Sequence, residues 1–582
     1  MPPTEEIVVQ KDVPARMRDG VTLVADVYRP AGDGEYPVLL TRQPYGKSLP
    51  VATSYMDAIK AAGRGYIVVI QDVRGRFGSE GEWFPYVHEF EDGYDTVEWA
   101  ASLPGSNGDV GMYGASYFGM TQWQAAVTQP RSLKSMAPGI TFGNHLNGAQ
   151  FRGGVRELGL RYYWSEAVLA PDSLFRKYRD DREKLTELLP ALVRAIDHIP
   201  DEYEILPLKD LPDPGGVVPF MFDSLEQGLD AEIWRYLNVD NRYENVEAPT
   251  FHIGCWYDIF LGETLRQYEA MKDKASREVT RPPRLLIGPW AHGTVFRSTV
   301  GDLDFGLASS GYFLNYKGDV TDYHLRWFDA TLKGREEALQ GQPPVEVFVM
   351  GENSWRGYEE WPVPGSREES WYLHADGVLS RNEPADSAPD EYDYDPREPA
   401  PTIGGPLLMP QIYRAGPRDQ SPNKQRPDVL AYTSEELEED YTAIGTVFAT
   451  FYAASSAPDT DFVARLVDVY PDGRAIGVTD GIIRASARES YPSPGLIQPS
   501  KPSTITPGEV YEYTIDLWAT GITFLKGHRI GVEITSSSFP RWDRNLNTGE
   551  DTKDSAESEV ARQRIFHDPE RPSSLTLTVV ES

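Results

Sequence analysis

The sequence predicts an α/β fold interrupted by a helical insertion and followed by an all-β domain. Three observations carry this reading. Short apolar runs alternate with helix-patterned segments up to about residue 143 and again from about residue 244, the rhythm of a mostly parallel sheet covered on both faces. Between these blocks, residues 144–243 hold long helix-like stretches that break the rhythm. Beyond residue 342, many short runs rich in β-branched and aromatic residues follow one another without helices, as in a sandwich of the jelly-roll type. The expected division is therefore 1–143 and 244–342 for the α/β part, 144–243 for a cap, and 343–582 for the β-domain.

The elements follow in order. Ile7-Val8-Val9 and Val21–Tyr28 flank a turn at Arg18-Asp19-Gly20 and read as a hairpin. Pro37–Leu40, Tyr66–Ile70, Val110–Tyr113 and Leu133–Pro138 read as strands, with helices at Tyr55–Ala62 and Tyr94–Ala101. In the insertion, Glu166–Leu169 and Lys184–Leu189 are helix-patterned, and strands resume at Ala248–Gly254 and Arg284–Gly288. In the last domain Val345–Val349, Ile444–Ala454, Val510–Ile515 and Leu575–Val580 read as strands, with a turn at Pro471-Asp472-Gly473. The acidic, proline-bearing stretch Pro384–Pro401 is expected to be a surface loop. No fixed-period repeat is present.

A chain of 582 residues exceeds one core. Lys and Arg number 56 against 89 Asp and Glu, a net charge of −33, which argues against nucleic acid or an anionic membrane as partner, since both require a basic face. No apolar run is long enough to span a bilayer, and Met1–Glu6 lacks the basic and apolar regions of a secretory signal, so the expected location is cytoplasmic. The single cysteine, Cys255, excludes an intramolecular disulfide and a thiolate cluster and reads as a small buried hydrophobe.

Gly111-Met112-Tyr113-Gly114-Ala115-Ser116-Tyr117-Phe118-Gly119 lies between a strand-like run and a helix-like one. A serine on a sharp strand-to-helix turn, with glycine two residues before it, is how α/β-hydrolases present a nucleophile; Phe118 takes the second glycine position of the usual pentapeptide and Gly119 comes one residue later. Alone, the pattern also fits an ordinary tight turn. A serine needs a base and the base an orienting acid, in the chain order Ser, acid, His, each after a strand. Of nine histidines, His292 follows the strand Leu285-Leu286-Ile287 and occupies the loop where the base belongs. His252 sits inside an apolar run as a core residue would, His88 and His145 lie on loops outside the order, and His528 falls in the all-β region. Asp258 ends the strand Phe251–Tyr257, although a helix cap would also place an aspartate there. One oxyanion donor should be the Tyr117 backbone N–H; the second should come from Arg42–Lys47, which has no His-Gly-Gly run but offers the Tyr45 phenol. Gly46-Lys47-Ser48 resembles the end of a phosphate-binding loop, but Thr41 stands where its first glycine would be.

Met17–Val21, Pro44-Tyr45, Gln71–Gly75, Gly114–Gly119, Trp256–Asp258, Gly288–His292 and Ser538–Asn545 together, in order, resemble the CocE/NonD hydrolases, relatives of X-Pro dipeptidyl peptidases and α-amino-acid ester hydrolases. The family serine motif is G-x-S-Y-x-G, which accommodates Gly119. The resemblance implies an α/β-hydrolase domain with an inserted helical cap and a C-terminal jelly roll. It further implies Ser116, Asp258 and His292 as catalytic triad, Tyr45 and Tyr117 as oxyanion donors, and Trp164, Phe260, Leu408 and Met409 as substrate-binding residues where the domains meet. Met409 stands where the family has an aromatic residue and Ile259 where it has glycine, so the resemblance implies the hydrolase chemistry and leaves acyl specificity open.

The expected function is hydrolysis of a small-molecule carboxylic ester through an acyl-enzyme, with no metal and no cofactor; a homo-oligomer is compatible with the sequence. An amide or peptide hydrolase using the same triad is the alternative, although no motif for a substrate ammonium is visible. A carbohydrate-binding protein with a vestigial hydrolase domain is a third reading, against which the intact triad speaks.

Overall fold

The computed structural model describes residues 6–273 and 281–581. Its first part is built on a ten-stranded sheet. The strands are β1 (Ile7–Arg16), β2 (Thr22–Pro30), β3 (Tyr36–Gln43), β4 (Ile67–Asp72), β5 (Ser106–Ala115), β6 (Leu133–Gly139), β7 (Phe251–Tyr257), β8 (Arg284–Ala291), β9 (Val345–Val349) and β10 (Ser354–Tyr358). They run in the order β1-β2-β4-β3-β5-β6-β7-β8-β9-β10. From β4 to β9 all neighbours are parallel, and hairpins at both ends add antiparallel strands. Strands covered on both faces must be apolar throughout, and β4 and β7 are buried at every residue.

The helices begin where local capping dictates. The helix expected over Tyr55–Ala62 is α1 (Ala58–Gly63), because the Asp57 carboxylate accepts the Ile59 and Lys60 N–H groups at 2.9 and 3.0 Å and fixes the start there. The helix expected over Tyr94–Ala101 extends back to Glu89 as α2 (Glu89–Ala101), its first turn carrying Glu89, Glu91 and Asp92 against the positive end of the dipole. Next comes α3 (Tyr117–Ala126), entirely buried behind the Ser116 turn. Between β6 and β7 the chain forms α4 (Leu158–Tyr163), a π-helical turn at Trp164–Leu169, α5 (Ala170–Tyr178), α6 (Arg182–Glu202), α7 (Pro219–Leu225) and α8 (Glu232–Leu237). The helices α9 (Leu261–Asp273) and α10 (Val320–Leu332) then cover the sheet.

Val345–Val349, expected in the last domain, instead pairs in parallel with β8 and, with β10, completes the first sheet, so that the α/β part reaches Tyr358 and only the remainder is an all-β domain. A twelve-stranded sheet system is organised around the long antiparallel pair Tyr441–Ser455 and Tyr511–Phe524. The stretch Pro384–Pro401 is not simply a loop. Asp390–Tyr394 pairs with Ala561–Asp568, and Tyr392 and Tyr394 are buried while Glu391 and Asp393 face outward. The alternation Asp-Glu-Tyr-Asp-Tyr was the strand signal, masked by the acidic composition.

Ser538–Asn545 ties this domain to the helices. Arg541 donates to Asp480 at 2.6 Å, Trp542 Nε1 donates to Glu157 at 2.9 Å, and the Arg541 carbonyl accepts the Gly159 N–H at 2.9 Å. The start of α4, and with it the chain that carries Trp164, is thereby held by the β-domain.

Candidate active site

The turn at Ser116 follows from its neighbours. Its backbone has φ 58° and ψ −122°, a conformation ordinary residues avoid. The Ser116 N–H donates to the Gly139 carbonyl at 3.0 Å and its carbonyl accepts Thr141 Oγ1 at 2.7 Å, so the strained turn is fastened on both sides. Gly114 takes φ 128°, and a Cβ on it would meet Phe118 Cβ at 2.7 Å; on Gly119 it would meet Thr141 Cβ at 2.5 Å. The glycine displaced from the usual pentapeptide is therefore the one Thr141 requires.

Three strand ends converge on this serine. Ser116 follows β5, Asp258 follows β7 and His292 follows β8. His292 Nδ1 lies 2.6 Å from Asp258 Oδ1, and Nε2 lies 3.1 Å from Ser116 Oγ. Since the fully buried carboxylate can only accept, Nδ1 carries the proton and Nε2 presents its lone pair to the serine hydroxyl. The second Asp258 oxygen accepts the Phe260 N–H at 3.2 Å, which fixes the carboxylate plane. The other histidines stand in other roles. His252 is buried against Thr250 at 2.9 Å, its pKa pushed down to about 3 by burial, and His528 bonds Asp468 at 2.8 Å in the β-domain.

Tyr45 and Tyr117 flank the serine differently. Tyr117 opens α3, so its N–H has no intrahelical acceptor; its phenol is used elsewhere, donating to Glu89 at 2.9 Å. Glu89 in turn meets Arg42 at 2.8 Å in the core. The Tyr45 hydroxyl accepts Trp164 Nε1 at 2.9 Å. With its acceptor side occupied by the indole, the phenol's own proton is free to donate. Burial pushes the Tyr45 pKa up to about 12, against a smaller opposing effect of the Trp164 bond, so the group keeps that proton through neutral pH. The loop that presents it is held by Gln43 Oε1, which accepts the Tyr45 N–H at 2.6 Å, and by buried Arg76, whose Nε donates to the Pro44 carbonyl at 3.0 Å.

A cavity of about 870 Å³ opens beside Ser116 and His292. Its walls are mostly apolar, formed by Phe118, Ile140, Trp164, Ala167, Phe296 and Leu408 among others. Asp172 is its one acidic lining residue among the described residues, and it is engaged by Arg76 at 3.3 Å and the Phe77 N–H at 3.2 Å. Of the four residues expected to bind substrate, Trp164 and Leu408 line this cavity. Phe260 does not: its ring stands perpendicular to the His292 imidazole with centroids 5.5 Å apart and buttresses it. Met409 faces an adjoining, more polar groove of about 630 Å³ that shares His292 and Leu408 with the main cavity. Sequence reasoning missed three supports, Arg76, Thr141 and Glu89. Only Arg76 had a signal, lying next to the Gln71–Gly75 motif.

Among the described residues no cluster of three or more His, Cys, Asp or Glu side chains is placed to hold a metal ion, and no helix is long and apolar enough to cross a membrane.

Comparison with known proteins places these features in context. Residues 19–294 match the X-Pro dipeptidyl-peptidase (S15) family, and residues 337–576 match the X-Pro dipeptidyl-peptidase C-terminal non-catalytic domain. The chain is 37% identical over 591 aligned positions to cocaine esterase of Rhodococcus sp. (strain MB1 Bresler), covering 98% of this chain and 99% of that one. Among solved structures, an aminopeptidase from a marine sediment Thaumarchaeota archaeon superposes with a TM-score of 0.80 at 24% identity over 100% of this chain and 97% of the other. An α-amino acid ester hydrolase superposes with a TM-score of 0.77 at 24% identity over 100% and 98%. At that identity the two structures speak to the fold.

Proposed function

The chain belongs to the CocE/NonD serine hydrolases of the S15 family and is a serine ester hydrolase, and from that premise we propose that Ser116, His292 and Asp258 are its catalytic triad, with Tyr45 and the Tyr117 N–H as the oxyanion hole. The observation that carries the assignment is the continuous relay from Asp258 Oδ1 through His292 to Ser116 Oγ, with links of 2.6 and 3.1 Å.

In this mechanism His292 Nε2 takes the serine proton as Oγ attacks the ester carbonyl, and Asp258 stabilises the imidazolium that forms. Negative charge gathers on the former carbonyl oxygen. The Tyr45 hydroxyl and Tyr117 N–H donate to it, each such donor being worth about 3 kcal/mol in a pre-organised site. His292 then returns its proton to the departing alcohol. A water, deprotonated by the same nitrogen, releases the acid and restores Ser116.

The cavity supports an ester with an apolar acyl group, since its lining is aromatic and aliphatic and Leu49, Val51, Phe77, Val168 and Phe175 form an exposed apolar rim. Its one carboxylate is already engaged, which favours a neutral acyl group over one bearing an ammonium and so the ester reading over a peptidase. The all-β domain is read as a jelly roll whose loop delivers Leu408 to the site, and the buried free thiol of Cys255 suits a reducing cytoplasm.

The test is reaction of the protein with a fluorophosphonate, followed by mass mapping of the adduct, beside turnover of a small aryl ester by Ser116→Ala. The reading requires the adduct on Ser116 and loss of turnover in the variant; an unlabelled Ser116 or an active variant rejects it.

A further inference from the structure

Behind Trp164, on the side away from Ser116, lies a second pocket of about 340 Å³ that shares no lining residue with the catalytic cavity. Arg161, on α4, reaches into it. The residue is 8% exposed, yet among the described residues it forms no ion pair and its Nε is sealed with no acceptor. A guanidinium this buried normally has a carboxylate or several carbonyls around it. Here burial drives its pKa down to about 10, with only the Tyr86 phenol opposing. It is held in place by stacking on Trp164, 5.3 Å from the ring centroid.

A second polar atom points the same way. His145 lines the pocket and is 1% exposed. Asn238 Oδ1 lies 2.8 Å from its Nδ1 and accepts the His145 N–H as well, so Nδ1 carries the ring proton and Nε2 is a bare acceptor with no partner. Burial lowers the His145 pKa to about 3, which leaves the ring neutral. The walls are aromatic, made by Tyr86, Phe220 and Trp234, with the His145 and Trp234 rings stacked at 5.5 Å. Asp223 and Glu226 stand at the exposed mouth, the latter held by Lys553 at 3.1 Å.

We propose that this pocket is a binding site for a planar aromatic carboxylate bearing a hydroxyl or amino donor, its carboxylate on the Arg161 fork, its ring between the aromatic walls and its donor on His145 Nε2. A single buried cation with acids at the entrance suits a monoanion better than a phosphate dianion. The site is separate from the catalytic cavity and does not depend on the esterase reading. Bound ligand would meet the edge of the Arg161 guanidinium whose face is stacked on Trp164, the residue whose indole holds Tyr45.

Calorimetric titration of the full-length protein with 3-hydroxybenzoate, against 3-hydroxybenzamide as neutral counterpart, tests it. The acid should bind saturably and the amide about thirtyfold more weakly, the loss of a charge-assisted fork. Arg161→Gln should weaken the acid by the same factor. Ser224→Trp, which fills the pocket from another lining position, should abolish binding and serves as the decisive variant if Arg161→Gln does not fold. Absence of saturable binding, equal affinity for the amide, or undiminished affinity in Ser224→Trp, as binding in the catalytic cavity would give, overturns the proposal.

Discussion

Glu166 sits in the π-helical turn at Trp164–Leu169, fully buried, and neither carboxyl oxygen has a hydrogen-bond partner among the described residues. Burial is the main force raising its pKa from 4.5 to about 8, and the nearby carboxylates Asp213 and Glu202 push the same way. The sign of the consequence is fixed. The unfolded chain releases this proton near pH 4.5 and the folded one only near pH 8. Stability is therefore fully present below the lower value and falls as pH rises between them, by about 1.36 kcal/mol for each pH unit. At neutral pH the residue costs the folded state about 3 kcal/mol by that slope. Glu166→Gln keeps the shape and removes the titration. It should leave stability unchanged near pH 4.5 and raise it progressively toward pH 8. Because a multidomain chain need not unfold in one step, the measurement is the urea midpoint followed by tryptophan fluorescence, combined with hydrogen exchange over residues 158–178, for both proteins across this range. A variant no more stable than the parent at the alkaline end, or equally stabilised at both ends, refutes the reasoning.

Other expectations concern the site. Tyr45→Phe should lower kcat for an aryl ester about 10²- to 10³-fold with little change in KM, because the phenol acts on charge that exists only in the transition state; steady-state kinetics decide it. Trp164→Phe removes the N–H that occupies the Tyr45 acceptor side and should lower kcat less than Tyr45→Phe does, and an equal or larger loss would place the indole itself in the reaction. Gly119→Ala would force a Cβ to 2.5 Å from Thr141 Cβ; overpacking of this kind costs about 1–3 kcal/mol, visible as a lower thermal midpoint together with reduced fluorophosphonate labelling.

Much of this was legible in the sequence, and the reason differs from element to element. The parallel strands announced themselves because burial on both faces leaves unbroken apolar runs such as Ile67–Ile70. The Ser116 turn was legible because strain at φ 58° and the approach of Thr141 leave glycine little competition at Gly114 and Gly119. Asp258 and His292 could be expected near Ser116 from chain order together with the family resemblance, since a parallel sheet brings successive strand ends to one edge. What stayed hidden depends on contacts between segments far apart in sequence. Nothing local tells that Trp164 would cap the Tyr45 oxygen, 119 positions away, or that Phe260 would turn toward the imidazole rather than the cavity. Asp390–Tyr394 was missed for the opposite reason: its local pattern was a strand, but its acidic composition outweighed the alternation.

The Tyr45–Trp164 bond also explains why the cap and the catalytic turn cannot be understood separately. In the oxyanion role proposed for Tyr45, a phenol must keep its proton and aim it, whereas a backbone amide does both without help. Burial raises the Tyr45 pKa to about 12, and the Trp164 N–H on its lone pair sets the direction of its own O–H. The N–H comes from Trp164 in the π-turn, while Tyr117 and Phe118 of α3 pack against the Tyr45 ring; α4, which leads into that turn, is pinned at its start through Gly159, Glu157 and Trp542 to the β-domain. On the proposed reading, the aim of this one hydroxyl depends on α3, the π-turn and the β-domain together. Loosening that anchor at a distance, for example with Trp542→Phe, which deletes the N–H reaching Glu157, should lower kcat while leaving Ser116 reactive toward a fluorophosphonate, since the proposed triad hangs on the ends of β5, β7 and β8.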